Sequence, residues 1–265
     1  MQTRDYVDEF KLEINCVQNS TKIQFKELLV NQTTKMQRYH YFITGSIGVG
    51  KSSVITTFML KYGMTKIKTC YIREYIDYDS LGAFRLSEWI KDRISLLDFQ
   101  LYILNCFEKQ LKTEEYKHAK FVIWERHPLE ALKVFCPNLS AKERINLENA
   151  IRDVCYKYEV PLINEHETIR GIKLSTYNLA SEMVADMIYI EMIKSVTKRK
   201  SRMMFIYLYI PEDLIHEQQK RIMKRGRQME VERYKDIEQL REVNERYITF
   251  INTYVDGNQT IGKEF

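Results

Sequence analysis

Gly45-Ser46-Ile47-Gly48-Val49-Gly50-Lys51-Ser52 satisfies the pattern G-x-x-x-x-G-K-[ST], whose residue types are those needed to hold a chain of phosphates. Glycines at Gly45 and Gly50 let the backbone turn tightly and aim successive N–H groups inward, and the helix that follows adds its positive dipole end. Lys51 supplies a mobile cation, and the Ser52 hydroxyl stands where such loops ligate Mg²⁺. The match arises by chance roughly once in tens of thousands of positions at average composition, so an ordinary glycine-rich turn is the weaker reading.

Charge also collects at the ends of two other β-prone runs. Lys68 to Ile72 stops at Arg73-Glu74-Tyr75, and Ala119 to Trp124 stops at Glu125-Arg126-His127-Pro128. Open α/β sheets place ligand contacts at such carboxyl ends, although position alone also suits Glu74 as a solvated loop carboxylate. His127 by itself reads as a structural, hydrogen-bonding histidine. Gln100 borders an apolar helical stripe, facing either solvent or a cleft, with Phe107 two turns further along the same face. In the basic run from Gln218 to Glu230, Arg221 and Arg225 lie one turn apart and Gly226 precedes Arg227, which suits a mobile flap better than a solvated helix face.

These groups need a scaffold, and hydrophobic periodicity supplies one. Strands are expected at 39–44, 68–72, 119–124 and 203–210. Helices are expected at 52–61, 84–111, 141–158, 177–195 and from Ile237 to Tyr254, with Pro128 near the first turn of a further helical run. The connection 159–176 has no readable pattern. Alternating strands and helices point to an α/β fold with a central parallel sheet flanked by helices. The 265 residues suit one large domain over 39–265, after an N-terminal arm (1–38) without recognisable chemistry. The +5 formal charge is far below that of a dedicated nucleic-acid binder. The five cysteines form no C-x-x-C pair, which argues for a reducing compartment without structural zinc. No signal-like run and no apolar stretch of roughly 18 residues occurs, so a cytoplasmic protein without membrane partners is expected.

Taken in order, GSIGVGKSS, Glu74, Phe99-Gln100-Leu101-Tyr102, the ERHP segment at 125–128, and FIYLYIPE followed by RIMKRGRQME resemble the deoxynucleoside kinase family over about residues 39–250. ERHP is most similar to the herpesvirus thymidine kinase branch and the lid to the deoxycytidine kinase branch, a mixture suggesting a large DNA virus enzyme or a divergent cellular one. The resemblance implies a P-loop kinase fold with an arginine-rich lid, ATP as phosphate donor held by residues Gly45 to Ser53, Mg²⁺ near Ser52 and Glu125, and a homodimer. It further implies Glu74 as general base, Arg126 over the reacting oxygen, and Arg221, Arg225 and Arg227 closing on ATP. Gln100 would read the base edge, with Glu230 on the sugar 3′-hydroxyl.

Two departures bear on the acceptor. The arginine and aspartate of the deoxycytidine kinase branch are Phe107 and Ala131 here, which opens space beside the base and favours thymidine, with broader pyrimidine use open. The family tyrosine on the sugar aligns near Trp89, and its role falls to Trp89, Tyr75 or Tyr78. A nucleoside monophosphate kinase such as thymidylate kinase shares the loop and lid, but a carboxylate at Glu74 would repel an ionised acceptor. A nucleotide-binding regulatory protein without turnover would draw on the basic clusters at 198–200 and 220–227.

Overall fold

A computed structural model describes residues 38–63, 68–163, 169–177, 179–197, 202–256 and 260–261. The N-terminal arm to residue 37 and the 198–200 cluster lie outside the described residues. In chain order the elements are β1 (Tyr39–Thr44), α1 (Lys51–Tyr62), β2 (Thr69–Ile72), α2 (Tyr75–Tyr78), α3 (Gly82–Ile90), α4 (Leu96–Leu111), α5 (Glu114–His118) and β3 (Phe121–Glu125). A π-helical turn (Ala131–Phe135) follows, then α6 (Ala141–Lys157), β4 (Ile169–Ser175), α7 (Ser181–Thr197) and β5 (Met203–Tyr209). The chain ends with α8 (Ile215–Arg225), α9 (Gln228–Arg233), α10 (Ile237–Tyr254) and the two-residue strands β6 (Val255–Asp256) and β7 (Thr260–Ile261).

The sheet runs β2-β3-β1-β5-β4, every pairing parallel, with β6 and β7 each pairing to β4. Its strands are buried on both faces, as helices on both sides require. Alternation along β1 sends Phe42 to one face and Tyr41 and Ile43 to the other. On the first face Phe42 lies 5.5 Å from Trp124 and 5.2 Å from Phe205, ring to ring, an aromatic row across three strands beneath α4, α6 and α10. On the second, α1 and α7 cover Ile43, Ile206 and Leu208. β1 sits between β3 and β5, so the chain order reverses at its carboxyl end, the crevice where α/β sheets place ligands.

Two expectations are corrected. The apolar stripe read as one helix over 84–111 is two, α3 and α4, broken at Asp92 in the left-handed region (φ 54°). Ser95 starts α4 by accepting from the Asp98 N–H at 3.0 Å, a cap worth about 1 kcal/mol. Periodicity survived the break because both helices turn apolar residues to one cleft. The unplaced 159–176 connection contains β4, whose Arg170, Gly171 and Lys173 hide its strand character. A Cβ at Gly171 would stand 2.0 Å from Val255 Cγ1, so the glycine admits β6 beside β4. Elsewhere the strand expected at 119–124 spans Phe121–Glu125, which puts Glu125 inside the sheet, and the helix expected at 177–195 is Ser181–Thr197.

Cys70, Cys106, Cys136 and Cys155 are buried free thiols, and burial pushes Cys70, Cys136 and Cys155 up to about 12, which leaves them unreactive. Among the described residues no helix is long and apolar enough to cross a membrane.

Candidate active site

The phosphate loop joins β1 to α1. Gly45 has φ 137°, and a Cβ there would stand 2.2 Å from the Leu208 carbonyl oxygen, so only glycine lets the loop leave the sheet beside β5. At Gly48 a Cβ would meet Ile222 of α8 at 2.8 Å. Gln218 fastens the same helix to the loop, donating to the Ile47 carbonyl at 2.7 Å while exchanging hydrogen bonds with Asn244. Lys51 is buried and donates to the Ser46 carbonyl at 3.0 Å. Burial, followed by the charge of Arg126, pulls its pKa down to about 8. Ser52 Oγ donates to Glu125 Oε1 at 2.7 Å. Burial and then neighbouring Glu74 push the Glu125 carboxyl upward.

Glu74, at the end of β2, and Arg126, at the end of β3, form a largely buried ion pair through the arginine Nε. Arg126 also donates from Nη1 to the Gly45 carbonyl at 2.9 Å, and its guanidinium lies 4.9 Å from the Phe135 ring centre and 5.5 Å from that of Tyr247. Its φ of 74° is rare for a side-chain-bearing residue and costs about 1–3 kcal/mol, which the surrounding contacts must hold. Burial works to raise the Glu74 pKa, but the opposing charges of Arg126 and Lys51 prevail and hold it near 2. Glu74 is therefore an ion-paired, largely buried carboxylate, not a solvated loop residue.

Two clefts meet at this pair. The first is lined by loop residues from Ile47 to Ser53, with Glu125, Thr176 and the lid arginines Arg221, Arg225 and Arg227. Gly45 and Ser46 lie buried behind it, and the Ser46 hydroxyl has no hydrogen-bond partner. The second cleft encloses about 980 Å³, open solvent at its mouth included, and is lined by Trp89, Gln100, Phe107, Ala131, Glu230 and mostly apolar neighbours. A mostly apolar wall with a few convergent polar groups is the lining typical of a small-molecule site. Ile47, Glu74, Arg126 and Glu230 line both.

In the second cleft Gln100 is 4% exposed on α4, which excludes the solvent-facing alternative. Phe107 packs edge-on against Trp124, ring centres 6.0 Å apart, and Ala131 opens the π-helical turn. Trp89 is stacked on Phe99 at 5.2 Å and covered by the Arg233 guanidinium at 4.8 Å. Tyr75 lines the cleft and Tyr78 does not, leaving Trp89 and Tyr75 of the three aromatic candidates. The lid turns at Gly226, φ 69°, between α8 and α9. Arg221 donates to the Thr176 carbonyl at 3.2 Å, Arg225 pairs with Glu230, and Arg227 pairs with Asp77 at 2.5 Å and with Glu230 at 3.4 Å.

His127 is structural. The Leu129 N–H donates to Nδ1 at 3.0 Å, so Nε2 carries the proton toward the Pro161 carbonyl at 3.0 Å, and burial lowers its pKa to about 4. Sequence reasoning missed Asp77, Glu130, Thr176, Gln218 and Tyr247. Asp77 and Glu130 carry a faint signal, three residues after Glu74 and four after Arg126. Thr176 could not be found while β4 was unseen.

The donor set also fits Mg²⁺. A serine hydroxyl and one carboxylate stand together at the phosphate loop, and this ion takes few protein oxygens while keeping water and phosphate ligands. Among the described residues no cluster of three or more His, Cys, Asp or Glu could form an all-protein cage.

No curated protein sequence matches the chain. Among solved structures, a deoxyadenosine kinase from M. mycoides with bound dATP is similar at 20% identity, covering 81% of this chain and 84% of that one with a TM-score of 0.43. The sequence pattern of the deoxynucleoside kinase family matches residues 41–177, which carry the phosphate loop, Glu74, Gln100 and the Glu125-Arg126 pair. The chain belongs to the deoxynucleoside kinase family and has its P-loop kinase fold.

Proposed function

We propose that the protein transfers the γ-phosphate of ATP to the 5′-hydroxyl of a deoxynucleoside, with thymidine as preferred acceptor, and that residues 39–265 form one domain for this task. The observation that carries the reading is that a phosphate-binding cleft and an apolar, small-molecule cleft share Glu74 and Arg126 at their junction.

Loop N–H groups from Ile47 to Ser53, Lys51 and the lid arginines Arg221, Arg225 and Arg227 hold the triphosphate and neutralise its charge. Ser52 and Glu125 would hold Mg²⁺, which when bound shields and orients the phosphates. Glu74 accepts the proton of the 5′-hydroxyl as that oxygen attacks phosphorus, with the sugar placed between it and the loop. Its pairing with Arg126 keeps it ionised at rest, and its basicity rises when the guanidinium turns toward the phosphates. Gln100 offers an amide donor and acceptor side by side to the base edge. Phe107 and Ala131 leave the ring's 5-position an apolar surrounding, which suits a methyl group. Glu230 meets the 3′-hydroxyl, with Trp89 or Tyr75 beside it. The acceptor is a nucleoside because a monophosphate would bring its charge against the Glu74 carboxylate.

The test is kcat/KM for thymidine, deoxycytidine, deoxyadenosine, deoxyguanosine and thymidine monophosphate in competition. The expected result is phosphorylation of nucleosides with thymidine first. Preference for a purine nucleoside overturns the acceptor assignment, and preference for the monophosphate overturns the reaction class.

A further inference from the structure

Glu130 is a fully buried glutamate with no part in the steps above. It closes the turn that carries Arg126: its Oε1 accepts from the His127 N–H at 2.8 Å, while its own N–H donates to the His127 carbonyl at 2.9 Å. Its Oε2 accepts from the Tyr247 hydroxyl at 2.9 Å and stands 3.6 Å from Arg126 Nη1. Tyr247, on α10 and itself buried, also lays its ring near the Arg126 guanidinium. Arg126 therefore has two carboxylate neighbours, Glu74 at Nε and Glu130 near Nη1, with the Phe135 and Tyr247 rings beside its guanidinium.

The geometry points to Glu130, held by Tyr247, as a positioning residue for phosphoryl transfer: it secures the left-handed Arg126 and competes with Glu74 for the guanidinium. This deepens the kinase reading and rests on it. With Glu130 ionised, Arg126 has a second counter-charge and Glu74 is freer to take the hydroxyl proton. With Glu130 neutral, Glu74 is the arginine's main partner and its basicity is suppressed. Burial raises the Glu130 pKa to about 7, so this exchange falls in the neutral range. The groups facing it are Arg126 and the His127 backbone from its own turn, Thr44 from β1, Lys51 from α1 and Tyr247 from α10.

The test uses the full chain with saturating ATP, Mg²⁺ and thymidine, measuring kcat from pH 6 to 9 for wild type, Glu130→Gln and Tyr247→Phe, each normalised to its ATP-binding fraction. Wild-type kcat rises with pH through about 7. Glu130→Gln loses that limb and falls about tenfold at pH 8, with the thymidine KM changed less than threefold. Tyr247→Phe removes a donor to the ionised carboxylate, so the limb moves to higher pH. A purely structural role would lower the ATP-binding fraction and leave the normalised profile unchanged. A normalised Glu130→Gln profile that matches wild type overturns the inference while the kinase reading stands. An unchanged limb in Tyr247→Phe overturns the Tyr247 contribution and, should Glu130→Gln fail to fold, the inference as a whole. A wild-type chain without turnover on any deoxynucleoside overturns the kinase reading instead, and the inference with it.

Discussion

The first cleft is centred on one continuous stretch, Ile47 to Val54, with further walls from 176–184 and the lid, whereas the second has no such stretch and is assembled from side chains of α2, α3, α4, the turns after β3, α9 and α10. In the loop the proposed phosphate donors are backbone N–H groups, which need glycines at fixed spacing to aim them, and Gly45 and Gly48 have no room for a Cβ. In the second cleft most of the wall comes from helices, where any apolar residue of suitable size can stand, and Arg126 is the exception in its backbone. The proposed function there rests on a few polar tips, Gln100, Glu230 and Glu74, spread over more than a hundred residues. A backbone-built site writes itself into sequence as a motif. A side-chain-built site does not.

If the two clefts divide the labour as proposed, variants should separate by cleft. The largest effect belongs to their junction: Glu74→Gln lowers kcat by about 10²- to 10⁴-fold while thymidine affinity, measured by calorimetry, stays within a few-fold. Weak thymidine binding with normal turnover would break the assignment. On the donor side, Lys51→Met lowers kcat/KM for ATP by about 10²- to 10³-fold and leaves thymidine affinity near wild type. The Lys51 ammonium, lowered to about 8 by burial, is lost as pH rises, so wild-type kcat/KM for ATP bends downward above pH 8. A flat profile to pH 10 would contradict this.

On the acceptor side, Gln100→Ala leaves the base edge unpaired and raises the thymidine KM by about 10- to 100-fold with the ATP KM unchanged. Equal changes in both constants would erase the distinction between the clefts. The smallest effect is expected at the lid, where Arg227 is tied to Asp77 by a partly exposed ion pair worth under about 1 kcal/mol. Asp77→Asn should free Arg227 for the donor phosphates and lower the ATP KM by about two- to fivefold, read from steady-state kinetics. A raised ATP KM would show that Asp77 orients the arginine rather than restraining it.

The same contrast explains what was legible in advance. β1, β3, β5 and α10 announced themselves through unbroken or strictly periodic apolar runs, and the loop through its glycines. β4 was hidden by Arg170, Gly171 and Lys173, because a strand that admits a neighbour at a glycine and keeps its basic side chains half-exposed looks like a loop. The break between α3 and α4 was hidden by a stripe that stays in phase across it. Glu74, Gln100 and Arg126 acquired roles only through family resemblance, since one charged residue at a strand end has no periodicity. Glu130 and Tyr247 lie 117 residues apart and meet only in the folded chain, and no local pattern joins them.

If the two clefts form one phosphoryl-transfer site, product analysis of the full chain with ATP, Mg²⁺ and each deoxynucleoside finds ADP and thymidine 5′-monophosphate in equal amounts, and at least about a hundredfold less of both with Glu74→Gln. ATP binding without a phosphorylated product from any of the four deoxynucleosides would contradict it.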